Sequence, residues 1–421
     1  MPRRCVMWLT KALRQFRIVC SHLTGKMRDE SQAAKLPPLV CFCHLRWNFV
    51  YQRPQHLMTQ WGESGPVYFF EEPVFSDVGG TTLAVTEGGR GVRVLTPTLP
   101  HGLTEQEIVE AQRSLVGDYL KIEGISNFVA WYYTPMALRF SSHLKPIVTV
   151  YDCMDELSAF QGAPPEMLKQ EQHLFELADV VFAGGKSLYE SKRRQHANVH
   201  LFPSSIDKAH FARGRQPLSN PPDQQSIAQP RIGFYGVLDE RLDIELMQQL
   251  AALRPDWHFV LLGPVVKIRQ EDLPHAPNLH YLGSKSYADL PQYLANWDVA
   301  ILPFARNAAT RFISPTKTPE YLAAGKPVIS TPIQDVVQPY GEMGLVRIAE
   351  NSEQFVEAIA ASLQPIEPAH DRRVNAFLAE MSWNKTFSGM LKEINKCGPG
   401  VAVSSVLTGP PGTIRGNVAN V

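Results

Sequence analysis

The stretch TRFISPTKTPEYLAAGKPVISTP, residues 310–332, predicts a loop, a short helix and a buried strand in close succession. Thr318 is a suitable N-cap, and Pro319 suits the first helical position because the N–H that proline lacks would be unpaired there. Gly325 stands where a helix end favours a left-handed residue, and an apolar run begins at Val328. Such a helix directs its free N–H groups at the preceding loop, which predicts an anion site.

Two charged residues accompany the start of this helix. Lys317 lies in the predicted loop and Glu320 on the first helical turn. A cation, a helix N-terminus and a carboxylate that can accept two sugar hydroxyls suit a nucleoside diphosphate, which carries both phosphates and a ribose. A solvated loop lysine and a glutamate that only complements the helix dipole explain the same residues. From this stretch alone, both interpretations stay open.

The composition is that of an ordinary soluble globular enzyme. The chain has 421 residues, 44% of them hydrophobic, with 41 Lys+Arg and 41 Asp+Glu. This length allows two domains, and the charge balance argues against the basic surface of a nucleic-acid binder. The six cysteines form no CxxC pair, which favours a reducing, cytoplasmic location.

The two ends of the chain differ from the rest. Residues 1–36 are basic and carry apolar residues at helical spacing, which suits a helix on the inner face of the cytoplasmic membrane. A disordered leader or an over-extended translation start explains them as well. No apolar run reaches the ~20 residues of a membrane-spanning helix. Residues 398–421 are rich in Gly, Pro, Val and Ser and are predicted to be disordered.

Two series of apolar strands alternate with helical patterns between the two ends. Continuous apolar runs predict mostly parallel sheets with helices on both faces. The first series fills residues 37–211 and the second residues 231–380, with a proline- and glutamine-rich linker at 212–230. A helix at 381–397 is expected to return to the first domain. The predicted fold class is therefore α/β, with two Rossmann-like doubly wound domains facing an interdomain cleft, where ligands would bind.

Helix starts are predicted at two capping boxes in the first domain. Thr104 with Glu107 predicts one helix, and Ser187 with Glu190 predicts another.

Candidate donor-side residues follow the first strand of the second domain. Gly236 at its end allows a close approach of backbone to a ligand, and Arg241 is placed for a diphosphate. A tight turn and a surface ion pair are the structural alternatives.

The first domain supplies a different set of side chains. After its first strand, His44, Arg46, Trp47 and Arg53 combine aromatic and hydrogen-bonding groups that suit a sugar ring. The alternative for His44 is a structural histidine whose hydrogen bonds are satisfied inside the fold.

Two aspartates follow a later strand of the first domain. Asp152 and Asp155 lie in reach of the interdomain space, where a carboxylate could deprotonate a hydroxyl or cap the next helix.

Several motifs are missing from the sequence. No GxGxxG follows the first strand of either domain, which argues against a dinucleotide dehydrogenase. GxxxxGK[ST], HExxH and GxSxG are also missing. No DxD-type pair ends a strand, which disfavours a metal-dependent transferase of the single-domain kind.

As a set, six segments resemble GT-B-fold glycosyltransferases of the family 1/family 4-like group of bacterial polysaccharide and envelope enzymes. The segments are HLRWNFVYQRPQHL (44–57), YDCMDELSAF (151–160), GG (184–185), FPSSID (202–207), RIGFYGVLDERLD (231–243) and SPTKTPEYLAAGKPVIST (314–331). The resemblance covers roughly residues 37–397. It implies hexosyl-type transfer from a UDP- or GDP-linked sugar to a glycan or lipid-linked hydroxyl acceptor, with no obligatory metal and no cofactor besides the nucleotide-sugar co-substrate.

The resemblance also implies roles for the candidate residues. Glu320 would hold the donor ribose, Arg241 and Lys317 the diphosphate, and Gly236 and Thr318 would belong to the same donor site. The catalytic candidates are Asp152, Asp155 and His44, and the acceptor-side candidates are Arg46, Trp47 and Arg53.

One departure bears on the mechanism. Retaining members commonly carry two glutamates separated by seven residues, and Phe312 stands where the first would be if Glu320 is the second. Tyr151–Asp152 stands where a His–Asp pair is frequent. An inverting enzyme would use Asp152 or Asp155 as base, whereas in a retaining enzyme the leaving diphosphate would assist. A nucleotide-sugar epimerase and a non-catalytic sugar-nucleotide sensor or assembly partner remain alternatives.

Overall fold

The computed structural model describes residues 36–398. The predicted membrane-surface helix at residues 1–35 and nearly all of the predicted disordered tail lie outside these residues. Within the described range the chain forms two α/β units, each built on its own sheet. The predicted fold class is therefore confirmed.

The first domain contains a nine-stranded sheet in the order β3-β5-β2-β1-β6-β7-β8-β9, with β4 paired to β5. All pairings are parallel except that of β4 with β5. The sequence predicted no strand at β3 or β4, because both are largely exposed and lack a continuous apolar run. The strands are β1 (Leu39–Phe42), β2 (Val67–Phe70), β3 (Val74–Phe75), β4 (Thr82–Gly89), β5 (Val92–Leu99), β6 (Val129–Tyr132), β7 (Val148–Cys153), β8 (Val180–Ala183) and β9 (Val199–Leu201).

The second domain contains a six-stranded parallel sheet in the order β12-β11-β10-β13-β14-β15. The strand order reverses at β10, and such a switch point opens a crevice at the carboxyl ends of the strands. The strands are β10 (Arg231–Tyr235), β11 (His258–Leu262), β12 (Leu279–Tyr281), β13 (Val299–Leu302), β14 (Val328–Ser330) and β15 (Arg347–Ile348).

Helices cover both sheets. The predicted capping box at the start of the long helix α2 is confirmed, since the Thr104 and Glu107 side chains each accept the other residue's backbone N–H. The second box is wrong, because the N-cap of α5 is Gly185, two residues before the predicted Ser187. No helix between residues 36 and 398 is both long and apolar enough to cross a membrane. The α-helices are α1 (Arg53–Gly62), α2 (Glu105–Ile122), α3 (Leu138–Ser141), α4 (Met167–Leu177), α5 (Lys186–Lys192), α6 (Lys208–Ala212), α7 (Ile244–Leu253), α8 (Leu290–Ala295), α9 (Lys317–Ala323), α10 (Gln334–Val336), α11 (Ser352–Ser362), α12 (Pro368–Ala379) and α13 (Trp383–Cys397).

The last helix, α13, packs on the first domain. Its apolar residues, among them Phe387, Met390 and Ile394, join the core cluster that contains β1 and β6 residues. The Trp383 ring stacks on His56 of α1 at 4.5 Å. The chain therefore crosses between the domains twice.

The polar segment between the domains is packed rather than loose. Ile227 is buried in the core of the second domain, as is Phe211 of the preceding helix α6. The indole N–H of Trp297 donates to Gln224 at 2.8 Å, and Gln224 is fully buried. The composition of residues 212–230 predicted a plain linker. A few buried apolar and amide side chains nevertheless attach this segment to the second domain.

Candidate active site

Helix α9 begins two residues before the predicted position. It runs from Lys317, with Thr316 at its N-cap and no side chain capping it. Thr318 as the N-cap is therefore wrong, and Pro319 is the third helical residue. Thr318 is fully buried and its Oγ1 has no hydrogen-bond partner among the described residues.

The end of α9 matches the prediction. Gly325 has φ +72°, and its N–H donates to the Leu322 carbonyl at 3.0 Å. The N–H of Lys326 donates to the Tyr321 carbonyl at 3.0 Å, which completes a Schellman motif. The Arg215 Nε also donates to the Ala323 carbonyl at 2.7 Å. The helix is thus held firmly at its C-terminus, directly before β14.

The start of α9 lies against the end of the central strand β10. Gly236, the first residue after this strand, has φ +144°. A Cβ on Gly236 would lie 2.3 Å from Cε and 2.9 Å from Nζ of Lys317. Because Gly236 has no side chain, the Lys317 side chain has room to pass across the end of β10.

Glu320 points toward the same strand end. Its side chain is buried, and the Tyr235 hydroxyl donates a hydrogen bond to its Oε2. Burial raises the pKa of Glu320 to about 7, while the hydrogen bond from Tyr235 and the charge of Lys317 oppose this rise. Burial and the charge of Arg241 lower the pKa of Lys317, with Glu320 acting in the opposite direction.

Arg241 is held by a neighbouring carboxylate. Its Nε donates to Asp239 Oδ1 at 2.9 Å and its Nη2 to Oδ2 at 2.6 Å. Asp239 is only 3% exposed, whereas the Arg241 side chain is 24% exposed. A bidentate pair of this kind fixes the guanidinium plane while leaving part of it open to a ligand.

Asp155 brings a carboxylate from the first domain to this group. Burial raises the pKa of the half-buried Asp155 to about 6, and the positive charges of Arg241 and Lys317 oppose the rise. Asp155 therefore lies within electrostatic reach of both cations. We call Asp155, Arg241, Lys317 and Glu320 the cleft cluster.

His44 also lies near the second domain. Its Nδ1 is buried without a hydrogen-bond partner among residues 36–398. Burial, with the positive charge of Lys267, lowers the pKa of His44 to about 4. The imidazole is therefore neutral near pH 7.

Arg53 and Asp152 pair with each other inside the first domain. Both are fully buried, and the Arg53 Nη2 donates to Asp152 Oδ1 at 2.8 Å. The Arg53 Nη1 donates to the Phe202 carbonyl at 2.7 Å. This corrects the expected roles of Asp152 as a base and Arg53 as an acceptor contact, because neither side chain reaches the cleft surface.

The other two acceptor-side candidates are also tied to the first domain. Arg46 donates to Glu71 Oε2 at 3.1 Å, and the backbone N–H of Trp47 donates to Glu71 Oε1 at 2.7 Å. The Trp47 ring is 6% exposed and packs edge-on against Phe69 at 5.0 Å. The expectation of an exposed sugar platform at Trp47 is corrected by this burial, and Arg46 instead fixes the loop to the end of β2.

Phe312 contacts the opposite domain. Its partly buried ring packs against the first-domain core cluster, and the Arg311 guanidinium lies 5.2 Å from the ring. Phe312, which stands where retaining members commonly carry the first of two glutamates, thus makes a contact between the two domains.

Sequence reasoning missed three residues of this site. Tyr235 and Asp239 hold Glu320 and Arg241, and Phe160 lies over Arg241 with 5.4 Å between the ring centre and Cζ. Asp239 could have been found from its spacing to Arg241, since residues two apart in a turn readily pair. No neighbouring residue points to Tyr235 or Phe160 as part of the site, because the residues that they contact, Glu320 and Arg241, are distant in sequence.

Comparison with known proteins agrees with this geometry. Residues 229–364, most of the second domain, match the family model for Glycosyl transferases group 1. The chain is 26% identical over 221 residues to "Putative teichuronic acid biosynthesis glycosyltransferase TuaH" of Bacillus subtilis (strain 168). That match covers 48% of this chain and 54% of the relative, so the chain spans about half the length of the curated relative it matches.

Solved structures resemble the chain over nearly its whole described length. Sucrose-phosphate synthase from Thermosynechococcus elongatus superposes with a TM-score of 0.63 at 14% identity, covering 86% of this chain and 98% of that chain. HepE of Anabaena in complex with UDP and glucose gives a TM-score of 0.58 at 14% identity, covering 85% and 98%. The E. coli trehalose-6-phosphate protein bound with UDP-2-fluoro glucose gives 0.63 at 10% identity, covering 85% and 99%.

These matches define the fold as GT-B, with two Rossmann-like domains around one cleft. Within that class the chain resembles the group 1 glycosyltransferases, and the match lies in the domain that carries Arg241, Lys317 and Glu320. The resemblance predicted from the sequence motifs is therefore confirmed.

Proposed function

We propose that this protein is a glycosyltransferase that moves a sugar from a UDP- or GDP-linked donor to a hydroxyl acceptor during polysaccharide or cell-envelope glycan synthesis. The observation that carries the proposal is the cleft cluster. Two cations and a carboxylate meet at the switch point of the second sheet, and Asp155 faces them from the other domain. The match to the group 1 model and to TuaH supports the same class.

In this proposal the second domain binds the donor. Lys317 and Arg241 bind the diphosphate and stabilise the negative charge that grows on it as the sugar leaves. Their fixed positive charge performs this task without an obligatory metal. Glu320 accepts hydrogen bonds from the ribose hydroxyls, and the Tyr235 hydroxyl holds its carboxylate in one orientation.

The first domain then presents the acceptor, a glycan or a lipid-linked sugar. Because Asp152 is buried against Arg53, Asp155 is the aspartate placed to remove a proton from the acceptor hydroxyl in an inverting reaction. His44 has no role in this step, because its unpaired Nδ1 is buried. In a retaining reaction the leaving diphosphate takes the proton, and Asp155 orients the acceptor.

The location that we propose is the cytoplasm, where nucleotide-sugars are available. Residues 1–35 would provide a peripheral contact with the inner membrane face. Loss of residues 1–35 should then move the protein from the membrane fraction to the soluble fraction, and unchanged partitioning would rule this contact out.

Nucleotide binding tests the proposal directly. A thermal-shift screen of UDP-, GDP-, ADP- and TDP-sugars identifies the donor nucleotide, and calorimetry then compares Glu320→Ala and Arg241→Ala with the wild type. We expect both variants to lose measurable binding, whereas Glu353→Ala on the exposed face of α11 should bind normally. Full binding by both site variants would reject the donor-site assignment.

A further inference from the structure

A loop of the first domain reaches across the cleft to the proposed donor site. This cleft loop, residues 154–161, follows β7 and includes Asp155. The centre of the Phe160 ring lies 4.8 Å from Lys267 Nζ and 5.4 Å from Arg241 Cζ. The backbone N–H of Gln161 donates to Glu240 Oε1 at 3.3 Å. The loop therefore contacts the second domain through one aromatic ring and one hydrogen bond.

The base of the cleft loop is anchored by buried charges. Lys192, 2% exposed, donates to both oxygens of Glu171 at 2.8 Å and pairs with Glu156 of the loop at 2.7 Å. The Tyr151 hydroxyl donates to Glu171 at 2.7 Å. A hydrogen-bonded network of this kind rigidifies its surroundings, so the loop projects from a fixed support.

The opposing surface is equally well supported. Asp239 holds the Arg241 guanidinium, and the Arg241 carbonyl accepts the Ala305 N–H at 2.8 Å. The Asn307 side-chain amide donates to the Glu240 carbonyl at 2.8 Å. Both sides of the contact are thus fixed within their own domains, and the contact between Phe160 and the two basic side chains depends on the distance between the domains.

We propose that Phe160 is a positioning residue of the donor site. Its ring covers the cationic groups of Arg241, which Asp239 already holds in orientation, and of Lys267, and it shields both from water. Cations are attracted to the face of an aromatic ring, and a less polar surrounding strengthens their interaction with phosphate oxygens. The ligand served is the diphosphate of the donor, so this inference rests on the proposed function.

Donor affinity then depends on a residue of the domain that does not bind the donor. Asp155 sits on the same loop, so one segment carries both the ring that covers Arg241 and the carboxylate proposed as the base.

Calorimetry with the nucleoside diphosphate that the wild type binds tests the inference. Phe160→Ala and Phe160→Leu should weaken binding about 3- to 30-fold, the range expected for loss of a cation–π contact. Phe160→Tyr should stay within about twofold of the wild type, since it keeps the ring. Phe75→Ala, at a ring that is 44% exposed on β3, is the matched control and should bind normally.

The corresponding nucleoside without phosphates separates positioning from a structural role. Its binding should be equally weak in the wild type and in Phe160→Leu, because the nucleoside lacks the phosphates that Arg241 binds in the proposed site. Equal diphosphate binding by the wild type, Ala and Leu variants would overturn the inference while leaving the proposed function intact. A wild type that binds no nucleoside diphosphate would instead reject the proposed function. If Phe160→Ala fails to fold, the Leu and Tyr variants make the same comparison.

Discussion

The side chain of Lys317 crosses the strand end at Gly236, where a Cβ would lie 2.3 Å from the lysine Cε. Gly236 also has φ +144°, a conformation that residues with a side chain rarely adopt. One glycine thus serves two purposes: it permits the turn after β10 and leaves room for the cation. The proposed diphosphate site depends on both.

Gly236→Ala should therefore remove nucleoside diphosphate binding as well as lower stability. The added methyl group must displace Lys317, and the backbone strain costs about 1–3 kcal/mol. Gly102→Ala is the control, because Gly102 has φ +81° with nothing within 4 Å of an added Cβ. Calorimetry and thermal unfolding should show lowered stability in both variants and lost binding only in Gly236→Ala. Normal nucleotide binding by Gly236→Ala would contradict this role of Lys317.

The raised pKa of Glu320 predicts a dependence of stability on pH. Its folded pKa of about 7 exceeds the ordinary value of 4.5, so the folded state binds a proton more tightly than the unfolded state. The resulting stabilisation is present below pH 4.5 and is lost as pH rises through 7, by up to about 3 kcal/mol. The unfolding free energy of the wild type, measured relative to Glu320→Gln, should thus fall between pH 5 and pH 8.

Glu107 provides a control of opposite sign for that measurement. Hydrogen bonds from the Thr104 N–H and hydroxyl lower the pKa of Glu107. Its contribution is therefore present at neutral pH and is lost as pH falls. If the difference in unfolding free energy between the wild type and Glu320→Gln stays constant with pH, the pKa of Glu320 is not raised by folding.

The buried pair of Arg53 and Asp152 should be structural. Asp152→Asn or Arg53→Met leaves one buried group without its partner, which typically costs about 3–5 kcal/mol. Arg269→Met, which breaks an exposed pair with Asp272, should leave the stability nearly unchanged. Chemical denaturation measures both. Wild-type stability together with lost turnover in Asp152→Asn would instead restore this residue as a catalytic candidate.

Asp155→Asn should separate catalysis from donor binding. Loss of a general base lowers kcat about 10²–10⁴-fold. Removal of a negative charge near Arg241 and Lys317 should leave nucleoside diphosphate binding unchanged or tighter. Radiolabelled donor turnover and calorimetry measure the two effects, with Asp118→Asn on the exposed face of α2 as the control. Normal turnover by Asp155→Asn would exclude it as the base.

Features set by neighbouring residues were predictable from sequence. The strand β10 before Gly236, the capping box at Thr104 and the left-handed residue at Gly325 each depend on a few adjacent side chains or on apolar periodicity. The start of α9 was less predictable, because Thr316 and Thr318 both satisfy the local preference for an N-cap residue. Asp155 and Arg241, which follow strand ends, could also be expected near the cleft, since parallel strands present their carboxyl ends at one edge.

Pairing between side chains was decided only by the tertiary structure. Arg53 and Asp152 are 99 residues apart, and each looked like a cleft residue until burial joined them. Phe160 looked like an ordinary apolar residue until the two domains placed it over Arg241. The sequence alone determined the two α/β domains and predicted an anion site beside Lys317 and Glu320, because these follow from local patterns. The fold decided which charges face the cleft, because a charge buried in one domain is stable only with a partner brought from elsewhere in the chain.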